Sequence, residues 1–161
     1  VLFQIQSMTS THDFSSSLTW ELSQGETTQN PRKFSRNHVV QVSGKPPLEV
    51  SAAKPFRGDS AKYNPEDLLL SAVSSCHMMS YLYVCSQHHV EVLSYTDEAN
   101  GILEVVGEGG KFTKVELNPV VVLRNEKDIN LAKEVHKKAS ELCFIANSCD
   151  FPIVYNPTVS V

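Results

Sequence analysis

From Leu68 to Val90 the chain runs for 23 residues without an Asp, Glu, Lys or Arg. A surface helix needs a charged or polar face, so a run like this belongs inside protein or inside a bilayer. A spanning helix needs about 20 predominantly apolar residues. Here the run is interrupted by Ser71, Ser74, Ser75, Ser80, Ser86, Gln87 and three histidines, His77, His88 and His89. Acidic Glu66 and Asp67 stand at its head, and no Lys or Arg cluster flanks it. The run therefore reads as a helix buried in protein, with no membrane partner.

A chain of 161 residues with 41% apolar and 20% charged residues is expected to form one domain with a real core. A net charge of -4 gives no pull toward nucleic acid. No charged segment followed by an apolar one marks a secretory signal near the N-terminus, so a cytoplasmic location is expected. Val1-Leu2-Phe3-Gln4 resembles part of an engineered protease site and precedes Met8. Residues 1–7 are read as a cloning remnant and 8–161 as a single domain.

Three segments near the start alternate apolar and polar residues at the period of a half-buried strand: Leu18 to Leu22, Arg36 to Val42 and Leu48 to Ser51. Lys54 to Tyr63, with Pro55, Gly58 and Asp59, reads as a loop. Asn64 is a good N-cap, Pro65 suits the first helical position, and Glu66 and Asp67 complement the helix dipole. That helix should run to about His88. Val90 to Tyr95, Ile102 to Val106 and Phe112 to Leu123 read as a three-stranded meander, with Asn100-Gly101 as a hairpin signal. A second helix is expected from Asn130 to Ala146, striped by Leu131, Ala132, Val135, Ala139, Leu142, Cys143 and Ala146. Ile153 to Tyr155 reads as a last strand. The order implies an α+β fold. One small sheet and one amphipathic helix cannot cover the long apolar helix on every side, so a homodimer with a shared core is expected.

The cysteines are Cys76, Cys85, Cys143 and Cys149. No C-x-x-C occurs, and the adjacent His88 and His89 diverge on a helix, so no metal site is expected. Cys76 and Cys85 lie about 13.5 Å apart along one helix, beyond the roughly 7 Å that a disulfide spans. Cys76 and Cys143 fall on different helices whose faces carry small residues and can meet. The alternative is that all four are small buried hydrophobes.

Taken together, Asn64-Pro65-Glu66-Asp67-Leu68-Leu69, Ser74-Ser75-Cys76-His77-Met78 and Cys143-Phe144-Ile145-Ala146-Asn147-Ser148 resemble the OsmC/Ohr family of thiol-dependent peroxidases. The order and approximate spacing carry the resemblance: N-P-E, a cysteine ten residues beyond its Glu, and a second cysteine 67 residues further on. The best match spans residues 34–154. The resemblance implies an intertwined α+β homodimer, two central helices wrapped by antiparallel sheets, with active sites at the interface. It implies Cys76 as the peroxidatic and Cys143 as the resolving cysteine, closing a Cys76–Cys143 disulfide. A catalytic arginine held by Glu66 is also implied. Arg57 is favoured for that place over Arg36. His77, where better-described members carry an aromatic, marks a Cys-His-Met branch and reads as a packing histidine.

The chemistry gives each group a reason. A free cysteine is at most about a tenth thiolate near neutrality. Cys76 is too far into its helix for the dipole to help, and an apolar core raises a thiol further. A cation is required, and a buried guanidinium needs a carboxylate. Glu66 lies about 15 Å from Cys76 on a straight helix, so it acts through the arginine, which a second subunit can supply. The substrate implied is an organic hydroperoxide in an apolar pocket of Leu69, Met78, Met79 and Phe144. The reductant is an external thiol or dithiol, of lipoyl type in the family, and no cofactor is needed. Two other readings stand beside this one: a thiol hydrolase or transferase with His136 or His38 as base, and a non-catalytic redox-sensing or ligand-binding dimer.

Overall fold

The computed structural model describes residues 9–161, which fall into two compact units, one ending at Pro65 and one spanning Glu66–Val161. Residues 1–7, read as a cloning remnant, lie outside the described residues.

The first unit is built on three short antiparallel strands in sequence order, β1 (Ser17–Thr19), β2 (His38–Gln41) and β3 (Leu48–Val50). Leu18 pairs with Val40, and Val40 with Leu48. The Trp20 indole N–H donates to the Ser35 carbonyl at 2.8 Å while its ring meets Phe34 edge-on. After β3 the chain loops out and returns, with the Ser51 N–H donating to the Tyr63 carbonyl at 2.8 Å. Within this loop a 3-10 turn (Lys54–Phe56) ends at Arg57, whose φ of 66° is left-handed. The Gly58 N–H then donates to the Ala53 carbonyl at 3.2 Å. A Cβ on Gly58 would sit 1.5 Å from the Ala52 carbonyl oxygen, so only glycine fits.

The second unit is organised by helix α1 (Pro65–Gln87), which starts and stops within a residue of the expected bounds. His89, at φ 57°, takes the left-handed position that ends it, and the Val90 N–H closes on the Cys85 carbonyl at 3.0 Å. α1 is long and apolar enough to cross a membrane by length and composition alone. In the fold it buries Val73, Cys76, His77, Tyr81, Val84 and Cys85 against protein.

The sheets depart from a meander. The strands are β4 (Val92–Asp97), β5 (Asn100–Val106), β6 (Gly109–Leu117), β7 (Pro119–Leu123), β8 (Ile153–Tyr155) and β9 (Thr158–Ser160). They form two three-stranded sheets, β4-β7-β9 and β5-β6-β8. Each has one antiparallel pair and one parallel pair, since β8 runs parallel to β6 and β9 to β7. The sheets of this unit are therefore mixed, not purely antiparallel. Asn100-Gly101 is not a turn: both residues lie in β5, opposite Glu116 and Val115. A Cβ on Gly101 would meet the Phe112 ring at 2.6 Å, so this glycine makes room for an aromatic side chain. The hairpin turn falls instead at Gly107-Glu108, with Gly107 at φ 64°. The long strand expected from Phe112 to Leu123 divides at Asn118, whose N–H donates to Asp97 Oδ1 at 2.7 Å, and Pro119 begins the next strand.

Helix α2 (Ile129–Leu142) presents Ala132, Val135, His136 and Ala139 to the core. It ends before the expected Ala146 because Cys143 turns to ψ 103° and caps the short helix α3 (Phe144–Asn147). Two clusters result. The C-terminal half of α1 (Tyr81, Val84, Cys85) packs with Val121 and Leu123 of β7 and Ala132, Val135 and Ala139 of α2. The N-terminal half (Leu70, Val73) packs with Val115 and Leu117 of β6, joined by Ile153 and Tyr155 of β8.

Candidate active site

Cys76 sits midway along α1 on the face that carries Val73 and His77, the spacing by which helix positions i, i+3 and i+4 align. Cys143 lies in the break between α2 and α3, where extended backbone frees its side chain from both helices. The fold brings the two thiols into hydrogen-bond contact. The Ala146 N–H donates to Cys143 Sγ at 3.4 Å. Burial first, and then the neighbouring Cys76, push the Cys143 thiol up to about 11. All four cysteines are free thiols. Cys143 has 0% of its surface exposed and Cys76 has 9%, so Cys76 is the sulfur of the pair that solvent can reach.

That access comes through an apolar cavity of about 420 Å³ lined by Cys76, Met79, Ser80, Tyr83, Leu142 and Phe144. Of the pocket residues expected from sequence, Met79 and Phe144 line it and Leu69 and Met78 do not. At roughly 100° per residue, Met79 shares the Cys76 face and Met78 is turned away. Met78 borders a separate concavity with Ser71, Ser75 and Asp97.

Glu66 lies in the first turn of α1, ten residues before Cys76, and its Oε2 is buried without a hydrogen-bond partner. A buried carboxylate oxygen left bare is costly, and a cation is the partner it lacks. The two candidate arginines differ sharply. Arg36 donates to the Phe34 carbonyl at 2.9 Å and the Pro31 carbonyl at 2.6 Å, and lies over the Phe34 ring at 4.5 Å. Its guanidinium is taken up in supporting its own loop. Arg57 is exposed, and among the described residues its guanidinium makes no hydrogen bond or ion pair.

His77 shows what sequence reasoning missed. Its Nε2 lies 3.1 Å from His136 Nδ1, and the two rings stack at 5.4 Å. Tyr81 stacks on the other side of His136 at 4.0 Å, and Tyr155 lies against His77 at 4.4 Å. Burial lowers both histidines to about 4, with Asp97 opposing the shift at His77 and His77 adding to it at His136. Both rings are therefore neutral near pH 7, so neither supplies the cation that a thiolate needs. The bases of the hydrolase reading are engaged elsewhere: His136 with His77, and His38 Nδ1 with the Arg36 carbonyl at 2.8 Å. A separation of 59 positions between two histidines carries no local signal, and only the α1–α2 packing joins them.

This geometry can be set beside known proteins. The family model for OsmC-like proteins matches residues 58–156, more than half of the chain. The chain belongs to the OsmC-like family. Among solved structures, an OsmC-like protein of unknown function from Vibrio cholerae O1 biovar eltor is similar at 31% identity and a TM-score of 0.82, covering 92% of this chain and all of that one. An organic hydroperoxide resistance protein from Elizabethkingia anophelis shares the fold at a TM-score of 0.69 and 21% identity, covering 95% of this chain and 99% of that chain. The uncharacterised protein YmaD of Bacillus subtilis is 27% identical over 117 residues, 70% of this chain and 78% of YmaD. The OsmC-like assignment agrees with the α+β architecture and carries with it the redox character of the family's hydroperoxide resistance members.

Proposed function

We propose that this OsmC-like protein is a cysteine-based peroxidase that reduces organic hydroperoxides to alcohols. The observation that carries the reading is the contact of Cys76 with Cys143 at the wall of an apolar cavity. The Cys76 thiolate attacks one peroxide oxygen; an S–O bond forms, the O–O bond breaks, and the leaving alkoxide takes a proton to become the alcohol. Cys76 is then a sulfenic acid. Cys143, held as a thiol, attacks that sulfur; the S–S bond forms and hydroxide leaves as water with the Cys143 proton. An external dithiol, of the lipoyl type or another, exchanges with the disulfide and restores both thiols. Sulfur carries every electron, so no cofactor is invoked.

Arg57 is the cation of this scheme and Glu66 its carboxylate. The bare Glu66 Oε2 and the uncommitted Arg57 guanidinium support the pairing. Because Glu66 stands about 15 Å from Cys76 along its own helix, the Arg57–Glu66 pair serves the thiol of a second copy, and the working form is a homodimer. Met79 and Tyr83 of α1 support this: they are 57% and 58% exposed beside the cavity, and Phe144 of α3 is 81% exposed. Four free thiols suit a reducing compartment, the cytoplasm.

The test is consumption of cumene hydroperoxide with a dithiol, comparing wild type with Cys76→Ser. Wild type turns over and Cys76→Ser does not. Equal activity of the two proteins, or no consumption by wild type with excess dithiol, sinks the reading, and the second outcome favours a redox-sensing dimer.

A further inference from the structure

Tyr155 ends β8 at a point where several reactive groups meet. Its ring lies 4.4 Å from His77, the residue after Cys76. It also lines a second concavity, of about 320 Å³, together with Ala146, whose N–H holds Cys143 Sγ. Cys149 packs with Tyr155 around Val73 and Leu117, and its thiol donates to the Ile145 carbonyl at 3.2 Å. The Tyr155 hydroxyl is thus surrounded by three thiols contributed by α1, the α2–α3 break and the segment after α3.

We propose that the Tyr155 hydroxyl is a hydrogen-bond donor to the Cys76–Cys143 pair, directed to whichever sulfur carries negative charge. The proposal rests on the reading of these two cysteines as the reacting pair, and it adds a residue from the C-terminal strands to the site. The electrostatics agree with the geometry. Burial first, then Cys143, Cys76 and Cys149, push the phenol up to about 12, so it keeps its proton throughout the range in which the thiols work. A group that stays O–H can only donate to a sulfur anion, and a hydrogen bond to an anion is stronger than one between neutral groups. The other titratable groups facing Tyr155 supply no competing cation. His77 and His136 behind its ring are neutral near pH 7. Glu141, which lines the same concavity, is engaged by Lys138 at 3.0 Å. The ring positions the hydroxyl by its contact with His77, and His77 is fixed in turn by His136 at 3.1 Å.

The experiment is the pH dependence of Cys76 alkylation by iodoacetamide in the full chain, followed at the Cys76 peptide by mass spectrometry, for wild type and Tyr155→Phe. Phenylalanine keeps the ring contact and removes only the donor. The midpoint moves up by about one pH unit, so that alkylation at neutral pH is about tenfold slower. An unchanged profile in Tyr155→Phe with native circular dichroism overturns the proposal. If that variant does not fold, the wild-type sequence grown with 3-fluorotyrosine answers the same question: its more acidic phenol donates more strongly and moves the midpoint down, and an unmoved midpoint overturns the proposal equally. No hydroperoxide enters the measurement, so a shifted profile in a protein that fails to reduce cumene hydroperoxide separates the failure of the peroxidase reading from that of this one.

Discussion

Cys143 is buried, bonded by the Ala146 N–H, and pushed up to about 11 by burial and by Cys76. At neutral pH it is a thiol, a poor nucleophile toward peroxide but ready to trap a sulfenic acid next to it. Cys143→Ser should therefore still reduce one equivalent of hydroperoxide and then stop. Intact mass measurement should show Cys76 carrying two added oxygens as excess peroxide drives it to the sulfinic acid. Continued dithiol-dependent turnover in that variant would exclude Cys143 as the resolving thiol. The histidine pair sets a pH limit on the fold. In the unfolded chain both rings protonate below about pH 6.5, whereas the native pair stays neutral until about pH 4. The unfolded state thus binds more protons between these values, so the pair's contribution is complete above pH 6.5 and is lost as pH falls toward 4. Chemical denaturation across this window should show stability falling with a slope approaching about two protons, and His136→Phe should flatten it.

At the scale of elements, the loop between β3 and α1 is where backbone geometry is most constrained. Arg57 holds a left-handed φ of 66°, and Gly58 passes so close to the Ala52 carbonyl that a methyl group would overlap it at 1.5 Å. Gly58→Ala should destabilise the chain by about 2 kcal/mol or more and displace Arg57, lowering peroxidase activity even at temperatures where the protein stays folded. Thermal melts and turnover on the same sample check both. This region also shows what local sequence can reveal. Asn64-Pro65 followed by acidic residues located the start of α1 because capping is a local interaction. Asn100-Gly101 misled because glycine has two uses, and here the absent Cβ admits the Phe112 ring instead of permitting a turn. The stripe of α2 continued past Leu142 in sequence. The break at Cys143 has no local breaker residue, because it is set by the bond from the Ala146 N–H to the Cys143 sulfur.

At the scale of the whole molecule, α1 buries one face while Met79, Leu82 and Tyr83 remain exposed on it, next to the cavity that opens on Cys76. Covering these side chains with a second copy would remove apolar surface from water at about 25 cal/mol per Å² and bring a second Glu66 to the interface. Tyr83→Glu combined with Met79→Glu should shift the protein from dimer to monomer in analytical ultracentrifugation and reduce peroxide turnover at least tenfold. A fully active monomer would contradict the shared-site scheme.

The charge-free run from Leu68 to Val90, its Asn64-Pro65 start and the spacing of Cys76 from Cys143 were enough to establish a buried central helix, an α+β fold and a thiol pair as the centre of interest. These are properties of periodicity, capping and composition, which act over a few residues and are visible in one dimension. Which strands pair, that two of the pairings are parallel, and that His77 meets His136 and Tyr155 were decided only in three dimensions. Those contacts join positions as many as 78 residues apart. No local preference encodes such contacts; they follow from how α1 lies across two small sheets and what must then fill the space between them.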